Sequence, residues 1–102
     1  MPKVTIKHQS SVPAAEAFSK VKGFLANDTD LKKLDAGYQC QFDDSALTGV
    51  ATGKMFKANM TVKGQSAGSE VEIIVDLPLA LSLLKGQVEK ILAKKLRDSL
   101  TA

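Results

Sequence analysis

Hydrophobic and polar residues change period twice along this chain. Val4, Ile6 and His8 alternate with Thr5 and Lys7, which predicts a short strand with one buried face. Ser10, Ser11 and Pro13 follow. They supply helix-start chemistry, hydroxyl caps and a proline whose missing N–H is harmless in a first turn. Ala14, Ala17, Phe18, Val21, Phe24 and Leu25 then fall on one helical stripe. Residues 27–37 read as a turn and a short helical piece, with Asp28 or Thr29 as cap, Leu31 and Leu34 as anchors and Gly37 as its end.

From Tyr38 the period becomes two. Tyr38, Cys40 and Phe42 share a face, and Asp43-Asp44-Ser45 is turn chemistry. A weaker strand over 46–52 is loosened by Gly49. Phe56, Ala58, Met60 and Val62 alternate with polar residues, and residues 64–68 read as a loop. The strongest strand runs over 70–76, with Val71, Ile73 and Val75 inward. Asp76-Leu77-Pro78 then predicts the start of a last helix, capped by the aspartate. Leu77, Leu81, Leu84, Val88, Ile91 and Leu92 form its stripe, which Leu96 and Leu100 extend. Gly86 marks a bend or a close approach.

The order is β-α-β-β-β-β-α, with a short helical piece after the first helix. Short turns between the later strands predict an antiparallel meander with one wet face. The fold class is therefore α+β. It is a two-layer sandwich of a curved, mostly antiparallel sheet, with an N-terminal helix and a long C-terminal helix on one face. The place of the first strand in the sheet stays open. At 102 residues the chain is a single domain, 1–102.

Charge separates the last helix from the rest. Residues 1–76 hold nine Lys and nine Asp/Glu. Residues 77–102 hold five Lys/Arg, namely Lys85, Lys90, Lys94, Lys95 and Arg97, against Glu89 and Asp98. The net +3 therefore sits on this one segment. Leu79 and Leu83 are surplus to its stripe. Either they are buried under the first helix or a loop, or they form a working apolar surface.

Catalytic chemistry finds little to use. His8 is the single histidine, and the sequence nominates no nucleophile or orienting group beside it. Cys40, the single cysteine, reads as a small buried hydrophobe and permits no internal disulfide. The two together fall short of a zinc ligand set. Gly49–Lys54 misses the phosphate-loop spacing and its hydroxyl residue. Asp28, Asp30 and Asp35 lack the Gly and the closing Glu of a calcium loop. No catalytic residue, metal or cofactor is assigned. Basic residues are not interleaved with stacking aromatics, so no nucleic-acid partner is expected. The longest apolar run, Leu77–Leu84, is far short of the ~20 residues of a membrane span. No leader is visible, and the cytoplasm is the expected compartment.

The chain resembles the putative polyhydroxyalkanoic acid system, or granule-region, proteins. The resemblance rests on Ile6-Lys7-His8-Gln9-Ser10, the first helix and the Tyr38–Phe42 strand. It rests also on the Val71-to-Pro78 junction (VEIIVDLP) and the Leu83-to-Glu89 continuation (LLKGQVE). It implies association with bacterial storage polyester and transfers no catalytic residue. The order of elements also resembles a reduced helix-grip or START-like fold, which implies apolar ligands between sheet and helix. Three readings follow. In the first, Leu77, Leu79, Leu83 and Leu84 touch an apolar surface such as a polyester granule, with Lys85, Lys90, Lys94 and Lys95 at its anionic edge. In the second, a small apolar ligand sits in a cavity on the order of a few hundred cubic ångströms, lined by Phe42, Phe56, Met60 and Val71. In the third, the leucine patch closes a homodimer.

Overall fold

The computed structural model describes residues 3–27, 32–33, 36–54 and 57–100, the side chains of 80 and 81 excepted. The elements are β1 (Lys3–Ser10), α1 (Ala14–Asn27), β2 (Gln39–Asp43), β3 (Thr48–Thr52), β4 (Lys57–Gln65) and β5 (Gly68–Asp76). A 3-10 helix, η1 (Leu79–Leu84), and a final helix, α2 (Lys85–Leu100), complete the chain. Of the expected short helical piece, Lys32 and Lys33 are helical, while Leu31, Leu34 and the caps Asp28 and Thr29 lie outside the described residues.

The five strands form one antiparallel sheet in the order β1-β5-β4-β3-β2. The first strand thus pairs with the last along its whole length, Lys3 opposite Asp76 through Ser10 opposite Ser69. Alternation decides which face is dry. Val4, Ile6, Ala58, Met60, Val62, Val71, Ile73 and Val75 are buried on one side. On the other, Lys3 lies 3.8 Å from Asp76 and Lys7 lies 3.6 Å from Glu72, while Gln9 Nε2 donates to Glu70 Oε2 at 2.6 Å. Such exposed pairs contribute about 0–1 kcal/mol each, so they set register more than stability.

The helices cover the dry side, as the pattern requires. α1 lies over β4 and β5 and touches β2 and β3, burying Ala17, Phe18, Val21 and Leu25. α2 packs on β1 and on α1, burying Leu92, Leu96 and Leu100. Lys22 Nζ fastens α1 to β2, 5.7 Å from the Phe42 ring centroid and 3.1 Å from Asp44 Oδ1.

Several local expectations change. The loop expected over 64–68 is a two-residue turn, because β4 runs on to Gln65, which pairs with Gly68. Gly68 has φ +141, and a Cβ there would run into the Ser10 carbonyl, so glycine is required. Ser10 Oγ accepts from Val12 N–H at 3.0 Å and shapes the turn before α1 rather than capping it. The first helical bond runs from Ala17 N–H to the Pro13 carbonyl at 2.8 Å. The turn after β2 is as expected. Asp43 Oδ1 accepts from Ser45 Oγ–H, Ser45 N–H and Ala46 N–H, which holds its exposed carboxyl below the ordinary range.

The largest departure is at the last helix. Asp76 caps nothing; it ends β5, and its Oδ1 has no hydrogen-bond partner among the described residues. The chain instead enters η1 through Pro78, with no side-chain cap bond. The α-helix begins only at Lys85. Gly86 does not pack closely, since nothing lies within 4 Å of where its Cβ would be; it is the second residue of the α-helix, just after the change from 3-10 winding.

Leu96 is 0 % exposed and Leu83 is 97 % exposed. Leu96→Ala should therefore cost about 3 kcal/mol, through lost burial and the cavity left behind. Leu83→Ala should stay within about 0.5 kcal/mol of the parent. Urea titrations of the two variants check the contrast.

Candidate functional site

Two rows of inward side chains cross the sheet. One runs Cys40-Ala51-Ala58-Val75-Val4, the other Phe42-Gly49-Met60-Ile73-Ile6. In the middle of these rows stand Gly49, Ala51 and Ala58, side chains too short to reach the helices. A hollow of about 90 Å³ remains above them. Phe42 and Cys40 wall it on the β2 side, Ile73 and Val75 on the β5 side. Leu25 and Tyr38 close one end, and Leu77, Leu84, Val88 and Leu92 roof it.

The polar groups in this lining are already engaged. Tyr38 O–H donates to the Leu25 carbonyl at 2.7 Å, and Cys40 Sγ–H reaches the same oxygen at 3.5 Å. Asn59 is exposed, on the other side of the pleat from Ala58 and Met60. Phe42 stands edge-on to Phe18, with ring centroids 6.2 Å apart, so its position is fixed from α1. A Cβ at Gly49 would meet the Phe42 ring at 2.8 Å; glycine here lets that ring lie flat over β3.

The sequence-derived residues divide. Phe42 and Met60 line the hollow. Val71 does not; it is fully buried at the far end of the sheet, opposite His8 and Val62. Phe56 lies outside the described residues. Leu77 is 2 % exposed and forms part of the roof rather than an outer surface, because it leaves β5 on the dry side. Leu84 is half-buried and also roofs the hollow. Leu79 and Leu83 are 76 % and 97 % exposed, so they are not buried under the first helix or a loop. Lys85, Lys90 and Lys94 are exposed along α2. The hollow, at about 90 Å³, is smaller than the few hundred cubic ångströms anticipated for a carrier. Gly49, Ala51 and Ala58, which create it, were not singled out from the sequence. Their signal was three small residues at inward positions of adjacent strands.

A wider, polar depression lies at the opposite end, between the start of α1 and Gly64–Gly68. His8 is half-buried on the sheet edge. Among the described residues no three His, Cys, Asp or Glu side chains converge, and no helix is long and apolar enough to cross a membrane.

No family model matches the sequence, and no curated protein is similar to it. Solved structures are similar in fold. The Bacillus halodurans protein BH1534 has 11% identity and a TM-score of 0.64, covering 99% of this chain and 98% of its own. TTHA0849 of Thermus thermophilus has 14% identity and a TM-score of 0.60, covering 97% and 94%. The Zhui aromatase/cyclase from Streptomyces sp. R1128 has 10% identity and a TM-score of 0.55, covering 96% and 86%. The chain has a helix-grip, START-like fold. Identities this low carry the fold alone. In helix-grip terms the hollow lies where the sheet faces the gripped helix, here between β2–β5 and the η1–α2 junction.

Burial pushes the Cys40 thiol above its ordinary value, while the Tyr38 hydrogen bond and the Lys32 charge pull it down less strongly. The sign follows from linkage. The stability is fully present below the unfolded thiol pKa, where both states keep the proton. It is lost as pH rises from there through the folded pKa, because only the unfolded chain has yet ionised. Alkylation of Cys40 by iodoacetamide should accordingly show a higher midpoint pH in the folded protein than in urea. Coincident midpoints would contradict the burial of this thiol.

Proposed function

We propose that this chain is a non-enzymatic binding protein that seats Leu79 and Leu83 on apolar assemblies, storage-polyester granules in first place. The carrying observation is the exposure of these two leucines, 76 % and 97 %, on one six-residue segment. That segment leads directly into the helix that holds the net charge, with Lys85, Lys90 and Lys94 exposed. An apolar ridge followed by cations is the pattern of an element lying at an interface. The resemblance to polyhydroxyalkanoic acid system proteins supports the granule as the assembly. Leu77 and Leu84 act from beneath, anchoring the segment to the core so that it presents the outer pair.

A second reading, a carrier of a small apolar ligand, is favoured by the hollow under the same segment. An enzymatic role has less to draw on. Burial raises the Cys40 thiol above its ordinary value, which works against a nucleophilic thiolate.

Replacing both Leu79 and Leu83 by Ser should leave stability within about 1 kcal/mol, since neither is packed. Binding to polyester granules or to anionic liposomes should fall on the order of 100-fold or more, from the transfer energy of two leucines. Added salt should weaken the remaining attachment through the lysines. Unchanged binding by the folded double variant rules the reading out. A dimer in light scattering that the same double substitution dissociates would reassign the leucines to a protein interface.

The carrier reading has its own check. Native mass spectrometry of protein purified from its host should reveal an extra mass that departs on denaturation. A bare chain counts against a tightly held ligand.

A further inference from the structure

We propose that the hollow beneath η1 takes the free end of a linear alkyl chain, about three to four carbons of it, offered by the apolar assembly on which Leu79 and Leu83 rest. The proposal rests on the surface reading above and names what that surface must present. It differs from a carrier, because the ligand is never enclosed.

Size sets the first limit. A cavity of about 150 Å³ accommodates the six carbons of benzene, so 90 Å³ scales to about three or four carbons. Shape sets the second. The open floor is Ala51 on β3 facing Ala58 on β4, on strands about 5 Å apart, since the Phe42 ring and the Met60 methyl cover Gly49. Cys40 flanks this pair on the β2 side and Val75 on the β5 side. The open floor is one pair of facing alanines, which seats the end of one extended chain.

Chemistry sets the third limit. Tyr38 O–H and Cys40 Sγ–H both point at the Leu25 carbonyl, and among the described residues no charged side chain is in the lining. A headgroup drawn inside would lose its hydrogen bonds to water and find none to replace them. The occupant is therefore hydrocarbon, and any ester or carboxylate it carries stays outside.

Placement then links the hollow to the surface. Along one stretch, Leu77 and Leu84 face the hollow while Leu79 and Leu83 face out. Two turns of 3-10 helix, entered without a side-chain cap, lie between the outer leucines and this side of the hollow. A short side chain or acyl end in the apolar phase reaches the hollow by displacing η1, without crossing water.

The test uses the whole protein, pentyl acetate as soluble probe and trihexanoin droplets as surface. In methyl NMR, pentyl acetate should move the Met60 Cε, Leu84 and Val88 signals saturably and leave Val71 in place. Ala58→Leu fills the hollow and should weaken pentyl acetate about tenfold, by displacing roughly two methylenes, with droplet binding retained. Where that variant does not fold, Val88→Phe fills the hollow from the half-exposed helix. Leu79→Ser with Leu83→Ser should lose the droplets yet bind pentyl acetate as the parent does. Met60 and Val88 methyls that stay fixed up to the solubility limit of the probe overturn the proposal, whatever the droplets do. Droplet binding that survives the serine pair overturns the surface reading instead.

Discussion

β5 is the strand on which the rest of the molecule depends. It is hydrogen-bonded on both edges, to β1 along eight residues and to β4 along nine. Its inward residues Val71, Ile73 and Val75 are almost wholly removed from water. The pairing with β1 joins the two ends of the fold, since β1 opens the chain and β5 hands it to the last helix. That closure brings α2 over β1 and against α1. A sheet of five strands then has two helices to cover it. Among the described elements α1 lies mainly on β4 and β5, α2 on β1, and β2 and β3 meet α1 less extensively. The hollow lies where this coverage thins.

The same geometry accounts for η1. Leu77 leaves β5 on the dry side and must stay there. To bring α2 above β1, on the edge of the sheet, the chain has to cross the mouth of the sandwich first. A tight 3-10 turn makes that crossing, and Leu84 returns to the interior at its end. A six-residue 3-10 crossing anchored at both ends cannot turn every side chain inward. Leu79 and Leu83 are the ones left out. Their exposure follows from the path of the chain, yet nothing in that path requires leucine; Ser or Lys would satisfy it equally.

Much of the architecture was legible in the sequence. Alternation marked β1, β4 and β5, because each has one wet and one dry face, and the stripe from Ala14 to Leu25 marked α1. The partner of β1 was not legible, since pairing across about 65 residues of sequence leaves no local trace. Nor was the break before Lys85. The leucines of 77–84 fit an α-helical stripe as well as they fit a 3-10 crossing, and Asp76 looked like a cap because caps and strand ends use the same residues. The site was legible in halves. Phe42 and Met60 were found as large inward residues. Gly49, Ala51 and Ala58 were missed because an absence of side chain is visible only once strands are placed side by side. Val71 lies away from this hollow, because alternation says which face a residue takes and not where along the strand the space lies.

The two anomalies of this domain work against its stability and solubility, and both sit on η1. Larger residues at Ala51 or Ala58 would fill the hollow and add packing. Polar residues at Leu79 and Leu83 would remove an exposed apolar ridge that invites association. Either change is one or two substitutions away and asks nothing of the fold. A domain shaped only by folding would have no reason to keep both, one beneath the same six residues and one above them. A function that uses the outer leucines and the inner space together explains why they share a segment. A function that uses only one of them leaves the other as a coincidence.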